Sequence, residues 1–157
     1  MSQRPHIRPA VEGDQKQFLE LFEELDAFHR QARPEVFGPP IVTRRDFGLL
    51  LGSGSTILVA DLPDHGLVGL ITLCAKVIQA SVVRDERMIV EISNLVVRTS
   101  ARRRGIARLL LDAAREWSRA QGASQIELSV WAFNEGAQTF YEAAGFETTT
   151  LRMAHSL

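Results

Sequence analysis

Around Ser100 the chain changes its period, and that change limits the folds open to it. The apolar stretch 88–97, closing on Leu95-Val96-Val97, reads as a β-strand. A short loop, 98–101, then leads into Arg102-Arg103-Arg104-Gly105-Ile106-Ala107. From there Ile106, Leu109, Leu110, Ala113 and Trp117 recur at helical spacing, with Gly122 as the stop. A strand that feeds a basic, glycine-bearing turn into an amphipathic helix implies a sheet with helices stacked on it.

The flanking segments extend that pattern. Asp14 and Gln17 have the spacing of a capping box, and Phe18, Leu21, Phe22, Leu25 and Phe28 follow at helical intervals, which predicts a helix over 15–31. Arg33-Pro34 and Gly38-Pro39-Pro40 make an irregular crossing to a short helix capped by Thr43 and ending at Gly52. Strands are expected at 56–60, 67–77 and 126–130, a helix at 135–144 stopped by Gly145, and a last strand at 146–153. The order β, α, α, β, β, β, α, β, α, β fits one α/β unit covering 1–157, a mixed sheet with helices on both faces. At 157 residues, 45% of them hydrophobic, the chain is long enough to bury about 69% of its unfolded surface without staples.

Charge narrows the chemistry. The net charge is -1, so no general field attracts nucleic acid or an anionic membrane, and no apolar run approaches the ~20 residues of a spanning helix. Seven arginines between Arg98 and Arg119 nevertheless face only Asp112 and Glu116. They cluster where a helix presents its unpaired first N–H groups and the positive end of its dipole, which is an anion site. Neither the Gly-Lys-Ser/Thr of a P-loop nor Gly-x-Gly-x-x-Gly is there, so ATP and NAD are not the first candidates. One cysteine, Cys74, cannot form an internal disulfide, and the opening MSQRPHIRPA lacks a signal-like apolar core, so a cytoplasmic setting is expected. His6, His65 and His155 show no metal-ligand spacing, and no metal is expected.

Two motifs, in order, resemble those of the GCN5-related N-acetyltransferases (GNAT). Arg102 to Ala107 fits Gln/Arg-x-x-Gly-x-Gly/Ala, and Asn134-Glu135-Gly136-Ala137-Gln138-Thr139-Phe140-Tyr141-Glu142-Ala143-Ala144-Gly145-Phe146 fits the family's downstream motif. The resemblance implies a mostly antiparallel mixed sheet, splayed to admit acetyl-CoA, with a binding core over about 87–148 and a variable acceptor side over about 14–52. It implies that the N–H groups of Arg103, Arg104, Gly105, Ile106, Ala107 and Arg108 hold the pyrophosphate, with Arg102 opening the motif. Leu95 and Val97 would pair with the pantetheine arm, an N–H near Leu95 or Val96 would polarise the thioester carbonyl, and Asn134 would be a further pantetheine contact.

The same resemblance gives two catalytic candidates. Glu91 stands where some members carry a glutamate base; the bland alternative is an ion-paired carboxylate at the sheet edge, with Arg87 or Arg98. Tyr141 stands where a phenol protonates the departing coenzyme A thiolate; the alternative is packing beside Phe140 and Phe146. A base matters because freeing a primary amine near pKa 10.4 at neutral pH takes about 4.6 kcal/mol. Glu23, Glu24 and Asp26 either attract a cationic amine or form a wet helix face, His29 either faces the acceptor or is a solvated or helix-capping histidine, and Cys74 reads as a small buried hydrophobe. Gly52-Ser53-Gly54-Ser55 reads as a turn. The expected activity is acetyl transfer to a small-molecule amine in a ternary complex, with coenzyme A as product. A protein or peptide acceptor and a non-catalytic acyl-CoA sensor are the alternatives. A homodimer is also expected to be accessible, because the last strand offers an edge.

Overall fold

In the computed structural model, residues 4–39, 47–51 and 54–157 are described. Thr43, Gly52, Ser53 and much of the crossing between the first two helices lie outside them. The apolar strand segments form one five-stranded sheet: β1 (His6–Pro9), β2 (Ser55–Leu62), β3 (Gly66–Ile78), β4 (Arg87–Val97) and β5 (Gln125–Leu128), side by side in that order. The first four run antiparallel, and β5 lies parallel to β4 after a helical crossover. β2 and β3 are near-continuous runs of Ile, Leu and Val because both of their faces are covered.

Each face has its own core. On one, α1 (Gln15–Ala32) presses Phe18, Leu21 and Phe22 onto Ile57, Val59, Leu67, Leu70 and Val96, joined by Phe47 from α2 (Phe47–Leu50). On the other, α3 (Ile106–Ala120) buries Ile106, Leu110, Leu111 and Ala114 against Leu58, Ile71, Val90 and Ile92, and α4 (Glu135–Ala143) adds Phe140. The buried stripe of α3 centres on Leu111 and Ala114 rather than on Leu109 and Ala113, which are half-buried. Gly69 lets α3 lie this close. A Cβ there would stand 3.0 Å from the Val96 carbonyl oxygen, 3.2 Å from Leu110 Cδ1 and 3.3 Å from Ile106 Cγ2.

Two expectations are corrected. Asp14 sits at the N-cap of α1 but makes no cap hydrogen bond, because Arg8 claims its carboxylate with two bonds of 2.7 and 3.0 Å. Gln17 is turned to the sheet, where its Oε1 accepts from the Leu67 N–H at 2.8 Å. The second correction is the strand expected over 146–153. After Gly145, at φ +90°, the chain runs on from Glu147 to Leu157 fully exposed and in no regular structure. Its β-rich sequence has no ladder partner among the described residues, and propensity alone does not make a strand.

Arg8 ties β1 to α1 and β2, since its guanidinium also donates to Asp61 Oδ2 at 2.8 and 3.1 Å. The Arg8 bonds, with a weaker contribution from the Val11 N–H, hold the Asp14 carboxyl below the ordinary carboxylate range against the opposing effect of burial. A carboxyl lowered in this way stabilises the fold fully above the unfolded-state value near 3.8 and loses that effect as pH falls below it. Asp14→Asn is expected to lower stability at neutral pH by about 1–3 kcal/mol. It is also expected to flatten the acid limb of stability against pH. Urea unfolding at a series of pH values checks both, and an unchanged acid limb refutes the assignment.

Candidate active site

The turn before α3 has a backbone that only a few residues tolerate. Arg103 and Gly105 both take left-handed φ, +62° and +76°, which turns successive N–H groups toward one side. Among the described residues nothing accepts from the N–H groups of Arg103, Arg104, Gly105, Ile106, Ala107 or Arg108. Gly105 is the N-cap and supplies no side-chain oxygen to satisfy them. Around them a cavity of about 350 Å³ is lined by Arg4, Arg104 and Arg108 with Leu62, Ile106 and Leu109. Arg102 is not free: its Nε donates to the Val97 carbonyl at 3.1 Å and fastens the turn to the end of β4.

Beside this turn the sheet parts. β5 pairs with β4 only from Ile89 to Ile92, whereas β4 continues to Val97. The register of β4 on β3 slips at the same point, with Ile92 opposite Leu73 and Asn94 opposite Thr72, so Ser93 is the extra residue of a β-bulge. Beyond the bulge the Arg98 N–H donates to the Val68 carbonyl at 2.8 Å, toward β3. By alternation the backbone of Val96 also faces β3, while that of Leu95 and Val97 faces the opening. The Val96 side chain is buried under α1, so this residue turns away from the gap altogether.

The loop after β5 borders the gap on its far side. Asn134 caps α4, its Oδ1 accepting from the Ala137 N–H at 3.1 Å, which leaves its amide nitrogen without a partner among the described residues. Two turns on, Tyr141 packs against Phe140 and Phe146 at ring separations of 5.2 and 5.4 Å. Burial pushes its phenol up to about 12, so the ring is a neutral donor throughout the physiological range.

Glu91 lies on the α1 face of β4, since its neighbours Val90 and Ile92 point into the α3 core. It is ion-paired, with neither Arg87 nor Arg98 but with Lys76, at 2.8 Å. Arg87 pairs instead with Glu127, the residue beside Glu91 on β5, at 3.4 Å. Arg98 reaches Glu20 and Glu24 of α1, and Glu24 also accepts from the Thr99 N–H and hydroxyl at 2.8 and 2.9 Å. These two acids therefore hold α1 across the end of β4. Cys74 is half-buried rather than buried.

Sequence reasoning missed several of these features. Arg4 comes from a segment far from the arginine cluster, and only the pairing of β1 with β2 brings it to α3. The place of the bulge depends on where β5 leaves, which β4 does not encode. His29 is half-buried and bonds the Leu25 carbonyl near the end of α1, as a helix-capping histidine does; with Phe28, Phe37, Trp131 and Phe133 it forms a cluster of rings that joins α1 to the loop after β5. The helical spacing of Phe28 and the aromatic pair Trp131 and Phe133 were visible signals, but nothing linked them.

The family model for the Acetyltransferase (GNAT) family matches residues 18–146. Among solved structures, a tetramutant of the BH1408 protein from Bacillus halodurans is 26% identical, with a TM-score of 0.90, over 97% of this chain and 99% of that one. An aminoglycoside acetyltransferase, meta-AAC0020 from an uncultured soil metagenomic sample, solved in complex with trehalose, is 20% identical with a TM-score of 0.71, over 98% and 96%. The aminoglycoside N-acetyltransferase AAC(6')-Iy in complex with CoA is 18% identical with a TM-score of 0.70, over 97% and 98%. No curated protein sequence matches.

Tyr141 is the sole tyrosine, so phenolate absorption in the near ultraviolet reports this one ring. Its midpoint is expected at about 12, against 10.0 for a free phenol. A midpoint at the free value contradicts the burial of the ring. Because folding raises this pKa, the associated stability is complete below pH 10.0 and is lost as pH climbs from there through about 12. The same scan should therefore show the melting point falling faster in this window than it does for Tyr141→Phe.

Proposed function

Since the chain belongs to the GNAT family of N-acetyltransferases, we propose that it moves an acetyl group from acetyl-CoA to the amine of a small molecule by direct attack in a ternary complex. The observation that carries this reading is the row of N–H groups from Arg103 to Arg108, unmatched by any acceptor among the described residues, at the side of a gap between two parallel strands. Those groups suit a pyrophosphate, whose charge the helix dipole and Arg4, Arg104 and Arg108 offset. The backbone of Leu95 and Val97 and the free amide nitrogen of Asn134 suit the amide-bearing arm, which would lie in the gap as a strand does. Acetyl-CoA supplies an acyl carbon already activated as a thioester.

The residues then divide the work of the transfer. The Leu95 N–H, facing the gap, stabilises the carbonyl oxygen as the amine lone pair forms the new C–N bond. Glu91, directly or through water, receives the proton that the amine gives up. Its carboxylate oxygen is held 2.8 Å from the Lys76 Nζ, so the amine must be delivered close to that pair. Tyr141 donates a proton to the sulfur as the C–S bond breaks, which leaves neutral coenzyme A. Arg102 takes no part in contacting phosphate in this reading; it holds the turn to Val97. The CoA-bound relative AAC(6')-Iy supports the cofactor assignment through its fold.

Calorimetric titration with acetyl-CoA and with free coenzyme A tests the cofactor half; no heat from either removes the proposal. An amine panel read by thiol release tests the transfer half. Tyr141→Phe is expected to lower kcat about tenfold or more while the heat of acetyl-CoA binding stays near wild type. Unchanged turnover rejects the phenol as the acid.

A further inference from the structure

The gap between β4 and β5 can be approached from two faces. On the α3 face lies the phosphate turn, so an acceptor arriving at the same carbonyl comes from the α1 face. There α1 is held to Thr99 by Glu24, and one turn later Phe28 and His29 reach over to the loop that follows β5. Their rings meet Phe133 at 6.1 and 6.0 Å, Trp131 stacks on Phe133 at 5.9 Å with an interplanar angle of 21°, and Phe37 closes on His29 and Trp131 at 5.1 Å each. Phe28 and Trp131 keep 40% and 45% of their surface exposed, although both are large apolar rings. His29 Nδ1 lies 2.9 Å from the Leu25 carbonyl, which sets that nitrogen as the donor and leaves Nε2 outside this bond.

We propose that this ring cluster is the acceptor subsite and that it takes an amine carried on an aromatic or flat apolar group. The inference rests on the acetyl-transfer reading above. Ring faces stack on a flat apolar body and attract its ammonium group, and the His29 Nε2, outside the bond to Leu25, suits one polar substituent. A polyhydroxylated polycation needs several free carboxylates instead. Glu20 and Glu24 are engaged by Arg98 and Thr99, Glu91 by Lys76 and Glu127 by Arg87.

Acetyl-CoA-dependent thiol release is measured with phenethylamine and tryptamine against spermidine and kanamycin. The aromatic amines are expected to lead in kcat/KM by about tenfold or more. Trp131→Ala should raise KM for them by about tenfold while the calorimetric heat of acetyl-CoA binding is retained. Should Trp131→Ala fold poorly, quenching of wild-type tryptophan fluorescence by phenethylamine and not by spermidine is the equivalent readout. Preference for spermidine or kanamycin, or a Trp131→Ala loss equal for all amines, overturns the inference. Acetyl-CoA binding with no transfer to any aromatic amine also overturns it. Failure to bind acetyl-CoA instead removes the function on which it rests.

Discussion

A strand whose neighbour leaves it must find other partners for its backbone. β4 runs on to Val97 after β5 has stopped beside Ile92, and the bulge at Ser93 falls at that departure. Almost everything else in the cleft follows from this. Leu95 and Val97 turn their backbone to the opening, Arg102 ties the Val97 carbonyl to the next turn, and α3 begins where its first N–H groups border the same space. The two cores pack tightly around this gap without closing it, since α3 rests on Gly69 from one side and α1 on Val96 from the other.

The parts written locally in the chain were legible from it. The period change at Ser100, the arginines with Gly105, and the motif from Asn134 to Phe146 located α3, α4 and the turn before α3 to within a residue or two, because caps, glycines and helical spacing act over short distances. Long-range choices were not legible. Asp14 and Gln17 had the spacing of a capping box, yet a bidentate guanidinium from β1 outcompetes a backbone N–H for the carboxylate. Glu91 was expected beside Arg87 or Arg98 and pairs with Lys76, because register, not sequence distance, decides which cation stands diagonally across a ladder. The residues 146–153 had the composition of a strand but not the partner that a strand requires.

The acids of α1 show how one composition can serve two ends. Glu24 could be read as an attractor of a cationic substrate or as part of a wet helix face, and it is neither. With Glu20 it binds Arg98 and Thr99, the residues that join β4 to the turn before α3. The α1 side of the cleft carries a cluster of rings, in a fold that the aminoglycoside acetyltransferases also use at 18–20% identity.

That fastening bears on any attempt to recombine such proteins. Because α1 is bolted to the loop leading into Gly105, it is not an interchangeable cassette. Transplanting a foreign first helix into this scaffold would unmoor the stretch from Arg98 into the turn before α3 unless Glu20 and Glu24 travelled with it, so a chimera meant to alter one side of the cleft would disturb the other as well.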